Sequence, residues 1–280
     1  MSTDSMIPRK SAFLVAGLMG ALIALAAGGR FAVHAQGGAT SERMSALEQA
    51  ELLKQGRELY VQNCAGCHGL KGDGHGPAAR WLNPKPRDFR DGVYKFRSTP
   101  AGALPTDGDL MRTLTAGVIG TSMPSWHLVP DRHRYALVQY IKTFSASFED
   151  VSMSEPPIHL SPPPEDLMSP QRVYEGRLVY EKMACNQCHG DTGLGDGPSA
   201  NALDDQWGFR LKPANFVHGK LRGGDTPVDI YRTFTTGLNG TPMPAYRDDL
   251  TEDERWSLVA YIRALRDGAD PHPPAPEAAE

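Results

Sequence analysis

Apolar side chains recur at helical spacing in several stretches of the chain, and long segments without periodicity separate these stretches. One such stripe lies in a segment from about Asp131 to about Phe144, and it consists of Leu137, Tyr140, Ile141 and Phe144. A similar stripe near the C-terminus consists of Trp256, Leu258, Tyr261, Ile262 and Leu265. The pattern predicts an all-α fold with long irregular loops.

Capping residues mark where four of the predicted helices begin. The pairs are Ser45/Glu48, Ser169/Pro170, Thr226/Pro227 and Thr251/Glu254. Another helix is expected to start at Thr106 or Asp107, with Asp109 in its first turn, and to stop at Gly117. Each half of the chain is therefore expected to hold three main helices.

The two halves of the chain have similar sequences. Residues that recur at equivalent positions in both halves mark features that both need. The residues Gly193, Gly195, Gly197 and Pro198 each follow Gly72, Gly74, Gly76 and Pro77 by 121 positions. Between the halves, residues 149–168 are rich in proline and acidic side chains, which predicts an extended spacer. We predict domains at 45–148 and 169–268, joined by this linker and followed by a disordered tail at 269–280.

The N-terminal segment, residues 1–35, has the charge pattern of an export signal. Arg9-Lys10 precede an uncharged apolar run from Ser11 to Ala27, which places the rest of the chain on the periplasmic side of the bacterial inner membrane. An uncleaved transmembrane anchor is favoured, because about 17 to 20 apolar residues span a bilayer. The alternative is a cleaved signal peptide ending near Val33-His34-Ala35, which would leave a soluble periplasmic protein.

The amino-acid composition favours a protein with a large cofactor and argues against a nucleic-acid-binding protein. Aromatic residues make up only 8% of the 280 residues, which is little for two cores, so a large apolar cofactor would supply missing core volume. The formal net charge of −4 argues against a nucleic-acid partner, which needs a basic surface.

All four cysteines lie in two copies of a CxxCH motif, Cys64 to His68 and Cys185 to His189. This motif is typical of covalent haem attachment: the thiols of Cys64, Cys67, Cys185 and Cys188 would bond haem vinyl groups, and the adjacent histidine would be the proximal iron ligand. Two haem c groups are therefore expected. A zinc site shared by the four cysteines would leave both histidines unexplained, and a pair of CxxC disulfides would normally follow a strand.

A methionine-proline pair is the candidate for the remaining iron ligand in each half. Met123 follows His68 by 55 positions, and Met243 follows His189 by 54. Both lie in polar loops outside any apolar stripe, and a methionine in the sixth position would close the iron to substrate and raise its potential. The alternative is that both are ordinary core methionines.

Further residues are candidates for contact with haem propionates, which need hydrogen-bond donors or cations when partly buried. They are Trp81, Arg87 and Arg97 in the first domain and Trp207, Lys212 and Arg222 in the second. The alternative is that they are solvated loop residues. His75 and His127 are expected at the surface, as possible replacement iron ligands under another pH or redox state.

With these motifs, each half resembles a class I cytochrome c domain, over about residues 45–147 and 169–267. The whole chain resembles membrane-anchored dihaem cytochromes c of bacterial respiratory chains. The resemblance implies that the first and last helices of each domain cross where a glycine and aromatic side chains meet. These residues are Gly56, Tyr60 and Tyr140 in the first domain and Gly176, Tyr180 and Tyr261 in the second.

The resemblance also implies a function, namely single-electron transfer between a donor complex and an acceptor oxidase or reductase, without catalysis by the chain itself. One alternative is a dihaem enzyme of peroxidase or thiosulfate dehydrogenase type, which would need an open haem and pocket acids or bases. A further variant is a subunit docked permanently on a larger oxidoreductase.

Overall fold

The computed structural model describes residues 44–276. The predicted signal or anchor at 1–35 and the last four residues of the predicted tail lie outside this part. Among the described residues, no helix combines the length and apolar character needed to cross a bilayer. The tail is held at its start, because the hydroxyl of Tyr261 donates a 2.8 Å hydrogen bond to the carbonyl of Pro271.

Helices form in both halves, and the four with predicted caps begin there, after Ser45, Ser169, Thr226 and Thr251. In the first half they are α1 (Ala46–Asn63), α2 (Ala65–His68), α3 (Asp107–Ala116) and α4 (Asp131–Lys142). In the second half they are α5 (Pro170–Lys182), α6 (Asn186–His189), α7 (Pro227–Thr236) and α8 (Glu252–Arg266). Capping boxes form at Ser45 and Thr251 as expected, and at Thr106 as well.

Irregular loops and four short 3₁₀ helices connect these elements. The 3₁₀ helices are Ala79–Trp81, Ala146–Glu149, Val151–Met153 and Ala200–Ala202. Across residues 44–276 no strand forms, and β-type pairing is confined to an isolated bridge between Asp204 and Arg210. The all-α prediction is confirmed for this part of the chain.

The first and last helices of each half cross at a glycine, as predicted. A Cβ atom at Gly56 of α1 would overlap the carbonyl oxygen of Ala136 in α4, and one at Gly176 of α5 would overlap that of Ser257 in α8. The missing side chain therefore lets the two backbones touch. Beside each crossing a buried tyrosine, Tyr60 or Tyr180, packs on an aromatic ring of the last helix.

The proline-rich segment 149–168 is packed against both halves. The amide of Ile158 donates to the carbonyl of Ser98 at 2.7 Å in the first half. In the second half, Ser161 accepts a 2.9 Å hydrogen bond from the indole of Trp256, and Leu160 and Leu167 contact the second core. The segment contains the 3₁₀ helix Val151–Met153 and a turn at 165–168, and its irregular part between them is packed on both halves.

The two halves also contact each other directly. Arg97 donates from the first half to the carbonyls of Thr236 and Gly237, at the C-terminal end of α7. Nearby, the amide of Gly102 donates to the side-chain oxygen of Asn239 at 3.1 Å. The two bonds from Arg97 satisfy carbonyls that the end of α7 leaves without helical partners, and all three bonds join the two halves.

Candidate haem-binding sites

A cavity of about 1160 Å³ opens in the first half, and four predicted haem-site residues line it: Cys64, Cys67, His68 and Met123. It exceeds the roughly 300–1,000 Å³ common for sites of drug-sized ligands. Its apolar wall includes Phe89, Tyr94, Leu110, Leu114, Val118, Trp126 and Ile141. The cavity therefore has the size and the lining that a haem requires.

His68, at the end of α2, is held with one ring nitrogen turned to the backbone. Its Nδ1 atom lies 3.0 Å from the carbonyl oxygen of Arg87. A carbonyl only accepts, so Nδ1 carries the proton and Nε2 keeps its lone pair for a metal. The ring stacks on Phe89 with centroids 4.5 Å apart, and burial lowers the pKa of His68, which favours the neutral imidazole.

The cysteines occur as two separate pairs. All four are free thiols, and among residues 44–276 no three His, Cys, Asp or Glu side chains gather into a group that could hold a metal ion. Burial raises the pKa of Cys64 and of Cys185 to about 11 each.

The methionine loop of the first half is fixed to the end of α3. Gly117 leaves the helix with a φ of 70°, and a Cβ atom there would lie 2.5 Å from the backbone carbon of Pro124. The amide of Met123 donates to Thr121 Oγ1 at 3.1 Å, and its carbonyl accepts from the amide of Val118 at 3.1 Å. The side chain of Met123 is thereby held against the first core and at the cavity wall.

The second half builds its site with the same contacts. Nδ1 of His189 lies 3.0 Å from the carbonyl oxygen of Ala214, and its ring stacks on Phe216 at 4.4 Å. The amide of Met243 donates to Thr241 Oγ1 at 3.2 Å. Met243 and Cys185 both pack against the second core. Paired thiols, a neutral imidazole and a thioether amid apolar side chains fit a c-type haem in each half, and the individual ligand assignments stay predictions.

Two of the residues predicted to contact propionates do not line the cavity. Trp81 is 76% exposed, lies outside the cavity wall and stacks beneath Arg80. Arg97 is only 1% exposed, and all three of its nitrogens donate to backbone carbonyls, of Pro100, Thr236 and Gly237. The repeat identifies Arg97 and Arg222 as equivalent positions but does not show that Arg97 faces the interface between the halves, and the assignment of propionate contacts stays a prediction.

The other four candidates do gather at one site. Arg87, Trp207, Lys212 and Arg222 all line the cavity of the first half, although the last three belong to the second half of the chain. The sequence could have indicated this placement, because the loop that follows the CxxCH motif differs in length between the two halves. Lys85 follows Pro77 by 8 positions, whereas Lys212 follows Pro198 by 14, so the second copy carries six extra residues around Trp207. Two histidines were named as possible replacement iron ligands. His75 lines the same cavity, whereas the Nδ1 atom of His127 lies 2.8 Å from Ser125 Oγ.

Two helical domains of this kind, each with a CxxCH helix, a Met-Pro loop and crossed terminal helices, define a dihaem c-type cytochrome. The profile of one family, cytochrome c oxidase, cbb3-type, subunit III, matches residues 51–141 and again residues 171–262. The chain belongs to this family.

Its relatives include subunits of cbb3-type oxidases. It is 26% identical over 224 residues to subunit CcoP of Azospirillum sp. (strain B510), which is 76% of this chain and 62% of that protein. It is 30% identical over 109 residues to subunit FixP of Sinorhizobium medicae, covering 36% and 32% of the two chains. The chain thus spans less than two thirds of the length of the curated relatives it matches.

Among solved structures, the chain is similar to one in the reducing HAO-like protein complex of Kuenenia stuttgartiensis. The two are 43% identical and superimpose with a TM-score of 0.72, over 76% of this chain and 96% of that one. The tandem arrangement of two cytochrome domains is therefore shared with a chain from another kind of complex.

Proposed function

We propose that this chain transfers single electrons between a donor complex and an acceptor oxidase or reductase, through two haems ligated by His68 and Met123 and by His189 and Met243. The observation that carries the proposal is the duplicated construction of both ligand loops. Each histidine donates to a backbone carbonyl, and each methionine is held by a threonine. A haem with both axial positions filled has no position for a substrate.

A bound haem would supply a reversible one-electron couple. The chain's own residues supply the rest. Cys64 and Cys67 would anchor the group in the first cavity, the carbonyl of Arg87 orients the ring of His68, and the apolar wall excludes water. Methionine ligation and burial both raise a haem's potential, which suits the oxidising end of a respiratory chain.

The partners are proposed from the relatives. CcoP and FixP are subunits of cbb3-type oxidases, which supports an oxidase as acceptor, and the Kuenenia chain belongs to a reducing complex. We propose an electron-transfer subunit or carrier on the periplasmic side of the bacterial inner membrane, held there by residues 1–35 or released after their cleavage.

Absorption spectra of the ferric protein test the proposal. A low-spin spectrum with a near-infrared sulfur-to-iron band is expected. Met123→Ala and Met243→Ala should each remove about half of this band, and the double variant should abolish it. A high-spin haem in the unmodified resting protein would instead favour the enzyme alternative, and an unchanged band in either variant would contradict that ligand assignment.

A further inference from the structure

The extra residues of the second copy form a compact loop, which we define as residues 203–211. Asp205 organises it, because its Oδ1 accepts hydrogen bonds from the amides of Trp207 at 3.2 Å and Phe209 at 3.0 Å. The amide of Leu211 closes the loop by donating to the carbonyl of Leu203 at 2.8 Å. The loop therefore has a defined shape of its own.

This loop is fastened to the first domain. The indole Nε1 of Trp207 donates to Asp91 Oδ2 at 2.7 Å, and the guanidinium of Arg87 lies over its ring, 3.9 Å from the centroid. Asp205 Oδ2 lies 3.4 Å from the ammonium of Lys95, and the side chain of Asp205 is only 7% exposed. Three contacts between five side chains thus join the loop to the first domain, across the boundary between domains.

Positive charge collects at this part of the cavity wall. Within residues 44–276, the charged groups of Arg87, Lys212 and Arg222 have no hydrogen-bond or ion-pair partner; Arg87 is half-buried, Lys212 and Arg222 are exposed, and the carboxylate of Asp205 at the same wall is paired with Lys95. Burial lowers the pKa of Lys95, and the nearby charges of Arg87 and Arg222 lower it further. Such a cluster of like charges is stabilised by bound anions, and carboxylates that are partly buried need charged donors.

We propose that the propionates of the first haem are bound across the domain boundary, by Lys212 and Arg222 of the second domain together with Arg87, which Trp207 positions. The inference rests on the proposed function, which puts a His68/Met123 haem in this cavity. It gives the second domain control over the redox potential of the first haem, because nearby cations disfavour the ferric state, which carries one more positive charge.

The test is a potentiometric titration of the full-length holoprotein. Met243→His serves as the background, because replacing a thioether by an imidazole lowers the potential of the second haem and so identifies its wave. Adding Lys212→Gln and Arg222→Gln should lower the other wave, that of the first haem. We expect an approximately tenfold higher ferric-to-ferrous ratio at fixed potential, equal to about 59 mV for one electron. Arg57→Gln, an exposed charge on α1 outside the cavity wall, is the matched control and should move neither wave.

The positioning role of Trp207 has its own variant. Trp207→Leu should shift the first wave, whereas Trp81→Leu, at an exposed tryptophan of the first domain, should not. If Met243→His moves no wave, the ligand assignment of the proposed function fails. If Met243→His moves one wave, the ligand assignment stands. If the Lys212→Gln and Arg222→Gln changes then move that same wave, or move neither wave, the cross-domain inference is wrong.

Discussion

Arg97 Nη2 donates a 2.6 Å hydrogen bond to the carbonyl oxygen of Thr236, so a buried guanidinium of the first domain meets the C-terminal end of a helix in the second. Unpaired carbonyls give a helix end partial negative charge, which favours a cation there. Burial lowers the pKa of Arg97 to about 10, so the side chain remains charged at neutral pH. This contact joins the two domains at a point where water is excluded.

Removing the guanidinium should therefore loosen the domain interface. Arg97→Met leaves the carbonyls of Thr236 and Gly237 unpaired, and we expect a loss of about 2 kcal/mol in the free energy of unfolding. Urea unfolding of the holoprotein measures it. The exposed Arg57→Ala, on α1, should change stability by less than about 0.5 kcal/mol. Equal effects of the two variants would show that Arg97 does not couple the domains.

The helix crossings should tolerate no added methyl group. Gly176→Ala places a Cβ atom against the carbonyl of Ser257, and we expect a loss of about 3 kcal/mol or a visible separation of α5 and α8. The matched change Gly108→Ala lies in α3, where the nearest atom is 3.5 Å away, and should be neutral or slightly stabilising. Thermal unfolding of both holoproteins compares them, and similar melting temperatures would contradict the close approach.

Each cysteine pair should attach one haem. Replacing Cys64 and Cys67 by alanine, or Cys185 and Cys188, is expected to reduce the covalent haem per chain from two to one, because thioether bonds require the thiols. Haem staining of denatured protein and a pyridine haemochrome assay measure this number. Each double variant is the control for the other. Retention of two covalent haems in either would contradict the attachment sites.

Acid stability should depend on Glu254 at the start of α8. The hydrogen bond from Lys182, and then those from Thr251, lower the pKa of Glu254 to about 2 from an ordinary 4.5. A lowered folded-state pKa means that its contribution is complete above about pH 4.5 and is lost as the pH falls towards 2. Because the pair is near the surface, we expect at most about 1 kcal/mol.

Glu254→Gln should therefore flatten the pH dependence of unfolding between about pH 5 and 2. Glu252→Gln removes an exposed charge from the same helical turn and serves as the matched control. Urea unfolding midpoints measured across this pH range test the prediction. A steeper pH dependence in Glu254→Gln than in the unmodified protein would contradict a stabilising role for the Glu254 carboxylate.

The sequence alone determined the local structure and the kind of cofactor. Helix starts were predictable because a cap such as Ser45/Glu48 acts over three residues. The haem c cofactors were predictable because CxxCH places its reacting groups within five residues and the whole unit is repeated.

The tertiary structure alone decided how the two domains share their surfaces. Arg97 and Arg222 occupy equivalent positions in the two copies, yet one lies in the domain interface and the other in the wall of the first cavity. A repeat predicts equal roles only while both copies have equal surroundings. The two domains contact each other through different surfaces, and the 203–211 loop occurs in one copy. Trp207 and Arg222 therefore line the first cavity through contacts with residues more than 100 positions away in the sequence.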